Sequence, residues 1–151
     1  ARHYQHSELG YNYRMSNVLA GIGRGQLKVL DERIAKKKYI FEYYKRELAN
    51  LEGIQFMPVN DWNEPNYWLS CILLKGAVRP LDVILALEKE NIESRPLWKP
   101  MHMQPFYKKY DYVGAHVAED LFVNGVCLPS DTKMTDDDLT RVCQIIKRVW
   151  K

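Results

Sequence analysis

A helical repeat of apolar residues dominates the first third of the sequence. Ser16 is a typical helix N-cap, and after it apolar side chains recur at helical spacing. They are Leu19, Ile22, Leu27, Leu30, Ile34, Phe41, Tyr44, Leu48 and Leu51. At 1.5 Å per residue the repeat predicts one helix of about 50 Å that ends near Gly53. Such a helix is too long for a domain of 151 residues to cover, so we expect its first half to pack on a partner outside this chain.

The rest of the sequence alternates short segments that favour strands and helices. Residues 67–74 (YWLSCILL) are apolar and rich in β-forming residues, and Pro80 suits the first position of a helix. Thr135 and Asp138 have the spacing of a helix capping box. We predict strands at 54–59, 67–74, 92–95 and 125–129, helices at 81–90, at 116–124 and after 135, and an ordered irregular loop at 96–112. This order predicts an α+β fold with a small, mostly antiparallel or mixed sheet.

Composition excludes several classes of function. The net charge of +3 is too small to indicate nucleic-acid binding, and no apolar run is long enough to cross a membrane. The spacing of histidines and cysteines does not suggest a metal site. Cys71, Cys127 and Cys143 are odd in number and lie among apolar neighbours, so we predict buried free thiols in a reducing compartment, the cytoplasm.

Two polar clusters fall in loops. The first contains Asn12 and Arg14, and the second contains Arg95, Lys99 and His102 in the proline-rich loop. Cationic and amide side chains that converge in a fixed loop suit a dianionic ligand through charge-assisted hydrogen bonds. Ordinary surface charge is the alternative, and chemistry alone leaves both open.

Three blocks of the sequence resemble one known family. They are residues 10–17 (GYNYRMSN), residues 93–104 (ESRPLWKPMHMQ), and residues 125–130 (GVCLPS) followed by 134–138 (MTDDD). Their content and order resemble the C-terminal part of the DegT/DnrJ/EryC1/StrS aminotransferases. The second block is most similar to the branch that makes amino sugars of the UDP-N-acetylbacillosamine type.

The resemblance implies a fold-type-I enzyme that depends on pyridoxal 5'-phosphate (PLP) and acts as a homodimer with shared active sites. Residues 1–28 would be the tail of a large domain and the start of a linking helix, and residues 29–151 would be the small C-terminal domain. In the family, the lysine that binds PLP covalently lies upstream, in a motif that this sequence lacks. We therefore expect the chain to contain no catalytic residue of its own and to be inactive alone.

The resemblance also implies roles for individual residues. Asn12 matches an asparagine that contacts the cofactor phosphate of the neighbouring subunit. Arg14 matches an arginine to which we assign anion binding, with a structural ion pair as the alternative. Four residues of the second block become candidates for holding the nucleotide or the carboxylate of the amino donor: Arg95, Trp98, Lys99 and His102. For Trp98, simple packing in the core is the alternative.

The implied reaction transfers an amino group from glutamate to C4 of a UDP-4-keto-6-deoxy-N-acetylhexosamine, for surface glycan biosynthesis. The sequence begins at Ala1 without a methionine, which favours a segment of a longer enzyme. The alternative is a stand-alone, non-catalytic α+β interaction module. About 200 family-like residues encoded directly upstream would exclude that alternative.

Overall fold

The N-terminal helical repeat folds as two helices. In the computed structural model, which describes residues 2–150, α1 spans Asn17–Leu27 and α2 spans Leu30–Leu48. The predicted single helix is therefore wrong. The break lies at Lys28 and Val29, where Val29 has φ −121° and ψ 11°. Neither residue is glycine or proline, so no local signal marks the break.

The first helix, α1, lies outside the core. Ser16 caps it as predicted, because its side chain accepts a hydrogen bond from the backbone N–H of Leu19 at 3.3 Å. Its apolar side chains Val18 and Ile22 are 73% and 56% exposed. No residue between 2 and 28 is buried in the described chain, and the core begins with Ile40 of α2.

Four short strands form one antiparallel sheet in the described residues. They are β1 (Ile54–Phe56), β2 (Ser70–Leu74), β3 (Arg95–Pro96) and β4 (Gly125–Leu128). The sheet order is β1-β2-β4-β3, so the two central strands are far apart in sequence. Register places Ile72 opposite Val126 and Arg95 opposite Cys127. The predicted α+β class is confirmed, although every strand is shorter than predicted, and β3 also begins three residues later than predicted.

The core lies between the sheet and three helices. These are α2, α3 (Pro80–Glu88), which begins at Pro80 as predicted, and α5 (Asp136–Val149). The buried side chains that form the core are Ile40, Tyr44, Leu48, Ile72, Leu74, Val83, Ile84, Leu87, Val126, Leu128, Leu139, Val142, Cys143, Ile145 and Ile146. Burial of one large aliphatic side chain stabilises a fold by about 1.5–3 kcal/mol, so this cluster supplies most of the driving force. The Tyr44 hydroxyl donates to the Pro129 carbonyl at 2.8 Å, which satisfies the one polar atom of that buried ring.

A second layer packs outside this core against β2 and β4. It consists of α4 (Val117–Asn124) and the proline-rich loop, which contains two single-turn 3-10 helices, Met101–Met103 and Pro105–Tyr107. At the junction of α4 and β4, a Cβ on Gly125 would lie 2.5 Å from the Leu121 carbonyl oxygen and would also meet Leu97. Glycine is therefore required where the loop, α4 and β4 approach one another.

The three cysteines are free thiols. Cys127 and Cys143 are buried, Cys71 is half-buried, and the sulfur atoms of Cys71 and Cys127 lie 3.8 Å apart across β2 and β4. Burial raises the pKa of Cys143 to about 12, so this thiol is protonated at neutral pH. Within residues 2–150, no helix combines the length and the apolarity needed to cross a bilayer.

The last helix begins with the predicted capping box. The Thr135 side chain accepts from the backbone N–H of Asp138 at 3.2 Å, and the Asp138 carboxylate accepts from the backbone N–H of Thr135 at 2.8 Å. The hydrogen bonds from Thr135 lower the pKa of the Asp138 carboxyl below its usual 3.8. This carboxylate therefore stabilises the folded chain fully above that pH, and its contribution is lost as the pH falls through the lower folded pKa.

We expect Asp138→Asn to lower the free energy of unfolding at neutral pH and to lose this penalty in acid. Urea denaturation of both chains at a series of pH values measures the difference. The difference in free energy of unfolding between the wild type and Asp138→Asn should stay constant from neutral pH down to the usual carboxyl pKa of 3.8 and become smaller below that pH. The control is Asp137→Asn, in the same helical turn but outside the capping pair. A difference that is flat with pH would contradict the assignment of this pKa.

Candidate functional site

Asn12 lines an open cleft near the N-terminus. The cleft has a volume of about 410 Å³ and forms where residues 6–12 pass beside Met101 and Tyr107 of the proline-rich loop. The side-chain amide of Asn12 is exposed and offers two N–H donors. An amide donor in an open cleft can bind a phosphate oxygen, so the placement is compatible with the predicted role.

A second cleft, of about 340 Å³, lies beside β3. Arg95 and Trp98 line it together with Tyr4 and Trp68. Arg95 donates from Nη1 to the Tyr4 hydroxyl at 2.8 Å and from Nε to the Glu93 carboxylate at 2.6 Å. Glu93 raises the pKa of the guanidinium above its usual value. The side chain is 51% exposed, so an anionic ligand can reach the guanidinium, where it would compete with Glu93.

The second cleft carries an exposed pair of tryptophans. The ring centroids of Trp68 and Trp98 lie 5.9 Å apart with planes tilted by 33°. The two residues are 65% and 49% exposed, so packing in the core does not explain Trp98. Large aromatic faces left open in a cleft are suited to stacking on a flat ligand, such as a nucleotide base.

Lys37 of α2 holds the backbone at Trp68 in place. Its ammonium donates to the carbonyl of Trp68 at 3.0 Å and also to the carbonyl of Ser130. Partial burial lowers the pKa of this lysine, while Asp131 opposes that effect. The hydrogen bonds tie the segment before β2 to the segment after β4, and so fix one wall of the second cleft.

The other two candidates of the loop have different surroundings. Lys99 is half-buried, and its backbone carbonyl accepts a hydrogen bond from the Gln104 amide at 3.4 Å. His102 stacks on Tyr112, with ring centroids 3.8 Å apart, and its Nε2 lies 2.8 Å from a carboxylate oxygen of Glu119. Hydrogen bonds with His116, which has the larger effect, and with His102 lower the pKa of the Glu119 carboxyl. In the described chain His102 therefore fastens the loop to α4 and lines neither cleft.

Arg14 stands apart from the other candidates. It is exposed in the stretch that precedes α1, and within the described chain it lines neither of the two clefts. The structure therefore brings Arg95 and Trp98 together in the second cleft, places Asn12 in the first, and leaves Arg14, Lys99 and His102 outside both. Its anion-binding role stays a prediction.

Sequence reasoning missed Tyr4, Trp68, Lys37 and Gln104. The first two line the second cleft, and the other two hold its surroundings in place. The hydrogen bond between Lys37 and Trp68 spans 31 residues and the one between Gln104 and Tyr4 spans 100, so no local pattern indicates these contacts. The described residues also contain no group of three or more His, Cys, Asp or Glu that could hold a metal ion.

The described fold is shared with part of the chain of several solved aminotransferases. A putative sugar aminotransferase of Streptococcus pneumoniae, solved in its pyridoxamine-phosphate form, has the same fold with a TM-score of 0.78 and 24% identity, over 90% of this chain and 35% of that one. The model of the DegT/DnrJ/EryC1/StrS aminotransferase family matches residues 1–147, and the chain belongs to this family. Aminotransferases of the family depend on PLP.

Two curated relatives support this assignment. The putative pyridoxal phosphate-dependent aminotransferase EpsN of Bacillus subtilis is 48% identical over 99% of this chain. The GDP-perosamine synthase of Escherichia coli O157:H7 is 32% identical over 99% of this chain. The chain spans 40% of the length of each of these relatives.

The residues of the first cleft fit only one part of PLP. The exposed amide of Asn12 suits the phosphate group, because its two N–H donors can bond to phosphate oxygens. Within residues 2–150, no lysine lines either cleft, so neither cleft offers an amine to the cofactor carbonyl. The first cleft is therefore compatible with phosphate binding, and in the described chain neither cleft presents a lysine for covalent attachment.

Proposed function

We propose that this chain is the C-terminal part of a PLP-dependent aminotransferase that acts on a nucleotide sugar. The complete enzyme transfers an amino group from glutamate to C4 of a UDP-4-keto-6-deoxy-N-acetylhexosamine, in surface glycan biosynthesis. When bound, PLP supplies the electron sink for both half-reactions. The chain's own residues bind and orient the ligands, and alone it is inactive.

The observation that carries this proposal is the arrangement of the two clefts. One stretch of backbone contributes to both, since Tyr4 lines the second cleft while His6 and Asn12 line the first. The proposed hydrogen-bond donor to the phosphate, Asn12, therefore lies on the same stretch of chain as Tyr4, which belongs to the cationic and aromatic second cleft. Transamination of a nucleotide sugar needs a cofactor phosphate and a nucleotide held in a fixed relation.

Each candidate residue has a role in the proposal. Asn12 donates to the phosphate of the cofactor held by the neighbouring subunit, and Arg14 binds an anion near the same subunit boundary. Arg95 pairs with the nucleotide diphosphate or the glutamate carboxylate, since a guanidinium binds either in a bidentate manner. Trp98 stacks on the base, with Trp68 beside it. Lys99 and His102 line neither cleft of the described chain, so in the proposal they reach the substrate only in the assembled enzyme.

The assembly and its location are part of the same proposal. The enzyme is a cytoplasmic homodimer with shared active sites. Residues 1–28 belong to the tail of the large domain and the start of the linking helix, and residues 29–151 form the small domain. Two features support this division: the helical break at Lys28 and Val29, and the exposed apolar side chains of α1.

An isotope experiment tests the reaction. The complete enzyme, loaded with PLP, is supplied with ¹⁵N-glutamate and a UDP-4-keto-6-deoxy-N-acetylhexosamine, and mass spectrometry detects label in the sugar product. The GDP-linked 4-keto-6-deoxy sugar is the matched competitor, because one relative is a GDP-perosamine synthase. Faster amination of the GDP sugar would contradict the proposed nucleotide, and no amination of either sugar would contradict the proposed reaction.

We expect Trp68→Ala to weaken the binding of UDP to the complete enzyme by about tenfold, since stacking on one aromatic ring is worth about 1–3 kcal/mol. Isothermal titration calorimetry with UDP measures the effect. The matched control is Trp62→Ala, which removes a tryptophan that is 82% exposed and lies outside the cleft. Equal affinities of the two variants would show that Trp68 does not contact the base.

A further inference from the structure

Gln104 is a buried amide in the proline-rich loop. Its side chain is 2% exposed, whereas residues 4–12 beside the loop are exposed throughout. A primary amide removed from water is costly unless its donors and acceptor find partners. The position of Gln104 therefore calls for a specific set of hydrogen bonds, which the aminotransferase reaction described above does not use.

The hydrogen bonds of Gln104 connect two parts of the chain. Its Oε1 accepts from the backbone N–H of His6 at 2.9 Å, and its Nε2 donates to the carbonyl of Tyr4 at 3.1 Å. Nε2 also donates to the carbonyl of Lys99 at 3.4 Å. The amide thus pairs with residues 4 and 6 as a neighbouring strand would, while its third contact holds it to its own loop.

Residues 4–6 lie between the two clefts. The Tyr4 hydroxyl accepts from Arg95 in the second cleft, and His6 lines the first cleft with Asn12. The described structure places this stretch in neither a helix nor a strand. One further backbone hydrogen bond, from the N–H of Phe106 to the carbonyl of His6 at 3.4 Å, continues the pairing. A side chain separated by about one hundred residues in sequence thus fixes the stretch that joins the clefts.

We infer that Gln104 is a positioning residue, which holds residues 4–6 on the proline-rich loop. It thereby sets the position of Asn12, the proposed hydrogen-bond donor to the cofactor phosphate, relative to the second cleft. This inference rests on the proposed function. Gln104 touches no ligand in this account and acts through Asn12 on one side and through Tyr4 and Arg95 on the other.

Two substitutions and one control test the inference. Gln104→Leu has a similar size but removes every hydrogen bond, and Gln104→Glu keeps the acceptor for His6 while removing both donors. The control is Thr135→Ala, which removes the cap of α5, lines neither cleft and lowers stability by another route. Thermal unfolding measures the stability of all three variants, so that their ligand affinities can be compared between variants that have lost a similar amount of stability.

In the complete enzyme we expect Gln104→Leu to weaken the binding of both PLP and UDP by about tenfold. We expect Gln104→Glu to weaken it at least as much, because a buried carboxylate oxygen would face the carbonyls of Tyr4 and Lys99. Thr135→Ala should leave both affinities unchanged. In an Asn12→Ala background, Gln104→Leu should have little further effect on PLP affinity, since residues that act through one another are not additive. Wild-type affinities in Gln104→Leu, or additive losses of PLP affinity with Asn12→Ala, would overturn the inference.

A measurement on the 151-residue chain separates this inference from the proposed reaction. Hydrogen exchange should become faster at residues 4–6 in Gln104→Leu and stay unchanged in α5, whereas unchanged exchange at residues 4–6 would overturn the inference directly. An enzyme that binds UDP but aminates no sugar would reject the proposed reaction, and the affinity comparison would still decide the role of Gln104. An enzyme that binds neither PLP nor UDP would overturn both.

Discussion

Mixed with PLP and then reduced with borohydride, the 151-residue chain is expected to carry no stoichiometric adduct at any single lysine. The physical reason is placement, because in the described residues no lysine side chain lines either cleft. Several lysines are already engaged, as Lys75 pairs with Asp120 and Lys147 pairs with Glu47. Peptide mapping by mass spectrometry should find only low, scattered labelling.

Lys37 is the lysine for which this test is most demanding. Burial lowers its pKa, so at neutral pH it has a larger fraction of free amine than an ordinary lysine. Its ammonium is nevertheless held by the carbonyls of Trp68 and Ser130, away from an open ligand surface. A stoichiometric adduct at Lys37 that disappears in Lys37→Arg would contradict the proposal that covalent attachment lies outside this chain. The complete enzyme, with one adduct at one lysine, is the positive control.

Short-range chemistry explains which parts of the fold could be predicted. The capping box of Thr135 and Asp138 involves residues three positions apart, and the start of α3 at Pro80 depends on a single residue type. Each signal acts within one helical turn, so the sequence displays it directly. The same holds for β4, where an apolar run follows a glycine that the close approach of Leu121 requires.

Long-range geometry explains what could not be predicted. The break at Val29 interrupts an apolar repeat that continues on both sides, and periodicity alone therefore predicts one helix. The contact between Trp68 and Trp98 depends on the sheet order β1-β2-β4-β3, which brings the segments around β2 and β3 to either side of β4. Loop position and side-chain chemistry indicated the two polar clusters, and the resemblance added Trp98 and the individual roles. The neighbours of these residues in the clefts could be found only in the folded chain.

Asn12→Ala in the complete enzyme should weaken the binding of PLP by about ten- to a hundredfold. If the amide donates to the cofactor phosphate, the substitution removes one hydrogen bond to a charged group, worth about 1.5–3 kcal/mol. The fold should persist, because Asn12 is exposed and precedes the first helix. Titration of the apoenzyme with PLP, followed by absorbance, measures the affinity. Thr135→Ala is again the control for a general loss of stability.

Mixed dimers decide whether Asn12 acts across the subunit boundary. Chains with Asn12→Ala are combined with chains that lack the lysine of the covalent attachment, and the heterodimers are isolated with different affinity tags. In each heterodimer one site has lost both groups. The other site takes its lysine from the Asn12→Ala chain and its asparagine from the partner, so it should bind PLP with near-normal affinity. Binding as weak as that of the Asn12→Ala homodimer would place Asn12 in its own subunit's site and contradict the assignment.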